Sequence, residues 1–269
     1  MGLPVRFRNV KRSGAGTFGT VYIANDADSC WARVAVKQAN VQGEGEPIGV
    51  EPEHVRETIL LHLLSASCTE AVIKWRGVCG PRARPCTILD AMSSDLRTYI
   101  ISSHNGLLSA EHAASVMCDL YTGLAHLHAR AIWHRDIKPA NILVSGEAAQ
   151  LRVVISDLGS AKFAQPGFEH TRACGTLSYR APEQLLGDGR YDESVDVWAA
   201  ACVHAEMRTG AIAFSVDWNC EWHMIHKIQR VCGMPPPRWL AEQKYAPAPL
   251  TACANVHLGT YTDPFLRLA

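Results

Sequence analysis

Apolar positions along the chain change their spacing about a third of the way in. Up to residue 90 they fall mostly in short runs. Val21-Tyr22-Ile23 closes a glycine-rich stretch, and Ala32-Arg33-Val34-Ala35-Val36-Lys37 alternates as a half-buried strand does. A loop over 42–50 follows, and a helix is expected from near Pro52, a residue tolerated in a first turn. Its apolar stripe reads as Val55, Ile59 and Leu63, with Leu60 and Leu64 beside it. Two more strand-like runs cover 72–78 and 86–90. After Met92 the spacing turns helical. Ser109 precedes a long pattern of Ala113, Met117, Leu120, Leu124 and Leu127. Short strands over 142–144 and 151–155 flank a Ser-Gly turn. A helix over 194–208 is closed by Gly210, and another over 221–231 is stopped by Pro235-Pro236-Pro237. The stretch 241–262 is short and weakly helical, and it predicts reduced stability for the part of the chain that contains it. No internal repeat occurs. The pattern describes an α+β protein: a small β-rich lobe over about 1–91, a hinge near 90–95 and a larger, mainly helical lobe over about 96–269.

Charge narrows the function classes. Lys plus Arg number 26, as do Asp plus Glu, so bulk charge gives no reason to expect nucleic acid or an anionic membrane as partner. The ten cysteines include no C-x-x-C pair and no zinc-finger spacing. The start lacks the apolar core of a signal peptide, Arg6 stands where a myristoylation signal wants Ser or Thr, and no apolar run is long enough to span a bilayer. An intracellular protein of cytoplasm or nucleus, with reduced thiols, is expected.

Within this frame lie residues suited to phosphoryl transfer, which requires a triphosphate positioned, its charge neutralised and an acceptor hydroxyl aligned. Gly14-Ala15-Gly16-Thr17-Phe18-Gly19-Thr20-Val21 is a G-x-G-x-x-G-x-V loop whose glycines let backbone N–H groups approach phosphate oxygens. Alone it would be an ordinary glycine-rich hairpin. The strand that follows argues against a dinucleotide site, which needs a helix there. Lys37 ends a buried strand and Glu57 lies mid-helix. Separately they are a snorkelling lysine and a solvated charge, together a pair able to hold α- and β-phosphates. In His134-Arg135-Asp136-Ile137-Lys138-Pro139-Ala140-Asn141, Asp136 can accept the hydroxyl proton, Lys138 can contact the transferring phosphate and Asn141 can ligate a metal ion. Asp157-Leu158-Gly159 supplies a carboxylate for Mg²⁺, a hard ion that prefers oxygen. Ala181-Pro182-Glu183 closes the segment begun at Asp157. One such match is ordinary, but six in this order are not a coincidence.

These residues resemble the eukaryotic protein kinase family over nearly the whole chain. The resemblance implies a two-lobed fold that uses ATP and Mg²⁺. Gly14, Ala15, Gly16, Thr17, Phe18, Gly19, Val21, Ala35, Lys37 and Leu143 would line the nucleotide. Leu89 would be gatekeeper, Asp90 and Met92 would meet adenine through their backbones, and Asp95 would lie near the ribose. Asn141 and Asp157 would hold metal. Leu61, Leu158 and His134, with Trp75, would form an apolar column, and Leu158 in place of the common Phe still fills its slot. Lys138 with Thr176 is similar to the Ser/Thr-specific pattern. Glu183 would pair with Arg267 of Asp263-Pro264-Phe265-Leu266-Arg267.

A narrower resemblance, to a divergent cyclin-dependent kinase, rests on Ser13–Ala24, Val55-Arg56-Glu57, Tyr179–Glu183 and Asp196-Val197-Trp198. It implies a cyclin or cyclin-like partner on the helix carrying Glu57, although Pro52-Glu53-His54 departs from the family's signature. It makes Thr171 an activating phosphothreonine with Arg56, Arg135 and Lys162 as its basic nest, and Arg180 a determinant of proline direction. Phe18 removes an inhibitory tyrosine, leaving Thr17 as the modifiable neighbour. Asp157-Leu158-Gly159-Ser160-Ala161-Lys162 also resembles the glycogen synthase kinase group, in which the same triad reads a phosphate already on the substrate. Two other functions remain open at this level: a kinase-like scaffold that binds nucleotide or a partner without catalysis, and a small-molecule kinase. The histidines at 126, 128, 223 and 226 read as surface or core residues, since no carboxylate or cysteine completes a metal site.

Overall fold

The computed structural model describes residues 3–16, 19–40, 50–66, 69–82, 84–146, 150–164, 169–171, 174–187, 189–216, 220–236, 238–239 and 243. Thr17, Phe18, the loop 41–49 and the segment with Arg267 lie outside these. The chain divides into two compact units: Met1–Leu96 with Asn141–Ala161, and Arg97–Ala140 with Lys162–Ala269, each through its described residues. Among the described residues no helix is long and apolar enough to cross a membrane.

The first unit contains an antiparallel sheet in the order β1-β2-β3-β5-β4, with β1 Phe7–Gly16, β2 Gly19–Asp26, β3 Ala32–Ala39, β4 Trp75–Cys79 and β5 Cys86–Asp90. Phe7, Ala24, Val34, Val36, Cys86 and Ile88 form an apolar cluster of this sheet. The half-buried alternation expected of β3 holds only at its start. From Val36 to Ala39 every residue is buried, because β3 is an interior strand with cover on both faces. The sheet's end is stapled by Asp26, which accepts from Arg6 Nε at 2.7 Å, from its own turn at Asp28 N and from Ser29 Oγ.

Helix α1, Pro52–Leu64, corrects the expected stripe. Val55, Ile59 and Leu63 are about half exposed, whereas His54, Glu57, Leu60, Leu61 and Leu64 are buried. Hydrophobicity alone assigned the wrong face, because two polar residues, His54 and Glu57, belong to the inner one. Thr58 Oγ1 lies 2.7 Å from Thr87 Oγ1 of β5 and His54 Nε2 lies 3.4 Å from it, so polar bonds orient the helix. Leu61 and Leu158 are buried where α1 packs on the 158–160 turn. A second sheet, β6-β8-β9, joins Ser94–Asp95, Ile142–Ser145 and Arg152–Ile155. Val72 bridges Ile155 in parallel.

The second unit is helical. It contains α2 (Leu96–Ser102), α3 (Ala110–His128), α4 (Pro182–Leu186), α5 (Ser194–Thr209) and α6 (Glu221–Cys232), with a short pair of β7 (Ile132–Trp133) and β10 (Lys162–Phe163). The Ser109 hydroxyl caps α3 by accepting from His112 N, and the five apolar positions read from the sequence are buried. Helix α3 packs on α5, whose last turn closes at Gly210 in the left-handed region, φ 72°.

His54 gives a pH test of the α1 seat. Burial, with the Lys37 charge beside it, pushes the imidazole down to about 4 from its ordinary 6.5. The folded state thus holds His54 neutral, and the unfolded chain takes up its proton first on acidification. Stability present above pH 6.5 falls as pH drops from there towards 4, by about 2 kcal/mol for this group. Denaturant unfolding of His54→Gln at pH 7 and pH 4.5 is expected to show a smaller pH dependence than the parent.

Candidate functional site

In the first unit, β1 and β2 run in register to Gly16 opposite Gly19. The glycines differ in what requires them. A Cβ at Gly19 would lie 2.6 Å from the Gln38 carbonyl oxygen, so packing alone demands glycine there. A Cβ at Gly14 would meet no atom of the other described residues within 4 Å, which leaves its backbone approachable from their side.

Lys37 Nζ lies 2.6 Å from Glu57 Oε2 and 3.0 Å from Asp157 Oδ1. Burial pulls the ammonium pKa down, but the charges of Glu57 and Asp157 outweigh it and the net shift is upward. Glu57 is 1 % exposed, and this cation offsets the cost of burying its charge. Asp157 takes φ 61°, a conformation uncommon for a residue with a Cβ, and its side chain is about a quarter exposed. Asn141 is buried, and its carbonyl oxygen accepts from both the N–H and the hydroxyl of Ser156, each at 2.9 Å. That pair of bonds fixes Asn141 beside the residue preceding Asp157. Their donor set, a carboxylate and a side-chain amide oxygen, fits a hard divalent cation.

The expected hinge residues also lie in this unit. Leu89 and Met92 are buried, Ser93 N donates to the Val144 carbonyl, and Asp95 pairs with Leu143 in the β6–β8 register. The Asp90 carboxylate has a task that the sequence did not reveal. It accepts from Arg76 Nε at 2.6 Å and from the Arg152 guanidinium at 3.4 Å, while Asp90 N donates to the Lys74 carbonyl. Val21 faces Lys37 across β2–β3, and Ala35 faces Leu89 across β3–β5. Trp75 meets His62 edge-on, with ring centroids 4.7 Å apart.

In the second unit the catalytic-loop sequence follows β7. Asp196, fully buried in the first turn of α5, organises it. One carboxylate oxygen accepts from Arg135 N at 2.7 Å, and the other from His134 N at 2.8 Å and His128 Nε2 at 2.9 Å. His128, expected to be a bystander, is therefore a support of this carboxylate. Arg135 is held at φ 65°, and Asp136 N donates to His134 Nδ1. Asp136 Oδ1 accepts from Thr176 N and Thr176 Oγ1, both at 2.8 Å, and its Oδ2 accepts from Lys138 Nζ at 2.8 Å. Lys138 also donates to Thr176 Oγ1 at 2.7 Å, which closes a triangle. Gly175 makes it possible: at φ 81° its missing Cβ would lie 2.3 Å from the Arg135 carbonyl oxygen.

Thr171 is exposed, and its carbonyl accepts from the Tyr191 hydroxyl at 2.9 Å, which in turn accepts from Arg135 Nη1 at 3.3 Å. Sequence reasoning missed Tyr191, since an isolated tyrosine carries no motif. His170, packed between Trp133 and Tyr191, has its pKa held down by burial and then by the charges of Lys162 and Arg135. Those two expected nest residues therefore make the ground near Thr171 positive. Arg56 belongs to the first unit, where it donates to the Gly159 carbonyl. Glu183 is half-buried; desolvation raises its pKa, and it takes a long bond from Ser194 Oγ at 3.4 Å. Its expected partner Arg267 lies outside the described residues. Arg180 donates to the Gly175 carbonyl and to Glu221.

Asp196→Ala would leave two buried backbone donors without an acceptor, a loss of about 3–5 kcal/mol for a broken buried charge network. Thermal unfolding should show a large drop for Asp196→Ala and a smaller one for Asp196→Asn, which keeps one acceptor oxygen.

Comparison with known proteins agrees with this arrangement. A family model described as the protein kinase domain matches residues 7–251. The chain is 33% identical over 241 residues to "Cell division control protein 2 homolog C" of Antirrhinum majus, covering 86% of this chain and 76% of that protein. It is also 33% identical over 210 residues to "Cell division control protein 2 homolog 1" of Trypanosoma brucei brucei, covering 78% and 67%. With the ordered motifs, the Lys37–Glu57 pair and these relatives together, the chain belongs to the eukaryotic protein kinase family and is like the cyclin-dependent kinases within it.

Proposed function

We propose that this kinase domain is active and transfers the γ-phosphate of ATP to Ser or Thr hydroxyls of proteins. The observation that carries the reading is the 2.6 Å Lys37–Glu57 pair, the contact a protein kinase must have in place to hold the α- and β-phosphates. The glycine loop, with Gly14 bare and approachable, covers the phosphates. Leu89, Asp90, Met92, Asp95, Ala35, Val21 and Leu143 line the base and ribose. Asn141 and Asp157 would hold Mg²⁺, which supplies charge neutralisation on the phosphates when bound. Asp136 orients the acceptor hydroxyl and takes its proton. Lys138, already bonded to Asp136 and Thr176, is placed to steady the transferring phosphoryl group.

The regulatory reading rests on further observations. Thr171 is exposed on ground made positive by Arg135 and Lys162, which supports an activating phosphate there. Val55, Ile59 and Leu63 form an exposed apolar face on the helix that carries Glu57, which supports a cyclin-like partner. Arg180 next to the activation segment supports selection of proline after the target residue.

Two measurements test the proposal. Phosphotransfer from Mg²⁺-ATP to a basic protein substrate, with and without cyclins, should fall roughly 10²–10⁴-fold in Asp136→Asn. Nucleotide binding without transfer in the parent protein would leave a scaffold instead. Thr171→Ala should lower the activated rate while leaving ATP binding intact. Equal rates in parent and variant after treatment with an activating kinase would remove Thr171 from the regulatory reading.

A further inference from the structure

Two cysteines that phosphoryl transfer does not use face each other across the sheet. The register places Cys79 of edge strand β4 opposite Cys86 of interior strand β5. Directly opposed residues of an antiparallel pair have Cα atoms about 4.5 or 5.5 Å apart. Both values fall within the roughly 4.4–6.8 Å that a disulfide spans. Opposed side chains also project to the same face, so the two thiols point the same way.

The surroundings hold this pair rather than merely permit it. Gln38 Nε2 donates to Cys86 Sγ at 3.7 Å, and Cys86 Sγ reaches the Arg84 carbonyl at 3.9 Å. Ala39 N donates to the Pro85 carbonyl, which pins the start of β5 to β3. Gly80, at φ 88°, turns the connecting loop back so tightly that a Cβ there would lie 3.5 Å from Cys86 Sγ. Cys86 is fully buried, whereas Cys79 is partly exposed and gives an oxidant its access. The neighbouring sulfurs draw the Cys86 thiol down to about 7 and push Cys79 up, so Cys86 is the readier nucleophile of the two.

We propose that Cys79 and Cys86 are a reversible redox site, closed to a disulfide by a hydroperoxide and reopened by a thiol reductant. The Cys86 thiolate attacks the terminal peroxide oxygen, reached past the partly exposed Cys79. The O–O bond breaks, hydroxide leaves and Cys86 becomes a sulfenic acid. Cys79, deprotonated by that hydroxide, then attacks Cys86 Sγ, the S–O bond breaks and a second hydroxide leaves. The two thiol protons complete two water molecules for hydrogen peroxide, and the two electrons lost by the sulfurs reduce the peroxide. The closed bond joins the edge strand to the interior strand whose next residue, Thr87, faces Lys37 in the β3–β5 register.

The test uses the full chain, reduced, desalted and titrated with hydrogen peroxide, then alkylated with iodoacetamide in denaturant and digested with trypsin without reductant. Trypsin separates the two cysteines at Arg82, so the disulfide appears as a linked pair of peptides two hydrogens lighter than their sum. The expected result is that iodoacetamide labelling of both cysteines falls together, the linked pair accumulates, dithiothreitol abolishes it, and neither Cys79→Ser nor Cys79→Ala forms it. The proposal is overturned if both cysteines remain alkylatable at doses that oxidise exposed Cys30 and Cys118. It is equally overturned if Cys79 alone proceeds to sulfinic acid while Cys86 stays alkylatable. The readout is a mass and requires no nucleotide or activity, so it stands apart from the outcome of the phosphotransfer assay.

Discussion

An ammonium group withdrawn from water persists only where carboxylates replace its hydration, and the first unit is arranged around that constraint at Lys37. Glu57 supplies one carboxylate from α1 and Asp157 another from the turn after β9. Glu57 is fully buried against the lysine, and the half-buried Asp157 adds a second negative charge beside it. The inner face of α1 is set accordingly: it carries Glu57 and His54 among its leucines, and the more apolar stripe is left outside. The charge interaction thus decides the rotation of a helix, and with it which surface remains for a partner.

The second unit solves a related problem with the opposite charge. Asp196 is a fully buried carboxylate whose partners are backbone N–H groups of His134 and Arg135 and the ring of His128. Backbone donors cannot move away as side chains can, so this carboxylate imposes a loop conformation, including the left-handed Arg135. The loop in turn presents Asp136 to Thr176 and Lys138. Gly175 lets the activation segment approach closely enough to complete the triangle.

In both units, polar atoms of the candidate site are also atoms that hold the local fold. Lys37 supports a helix, Asp136 anchors Thr176, and Arg135 reaches Thr171 through Tyr191.

The family was legible in the sequence because the candidate residues stand in short, ordered motifs whose spacing is a property of the chain itself. The strands and the long helix α3 were legible for the same reason, since burial of Ala113, Met117, Leu120, Leu124 and Leu127 follows helical period. What the sequence alone did not decide was orientation and long-range pairing. Val55, Ile59 and Leu63 look like a core stripe, and the Lys37–Glu57 pair, twenty residues apart, together with the bonds of Thr58 and His54 to Thr87, turns them outward. The ion cluster of Asp90 with Arg76 and Arg152, the support of Asp196 by His128, and Tyr191 between Arg135 and Thr171 each join residues from separate elements. The opposition of Cys79 and Cys86 arises from strand register, which depends on how the intervening loop turns and on what β3 demands of β5. Local spacing determines which groups are present. The tertiary structure decides which of them meet, because the free energy of burying charge depends on partners far away in the chain.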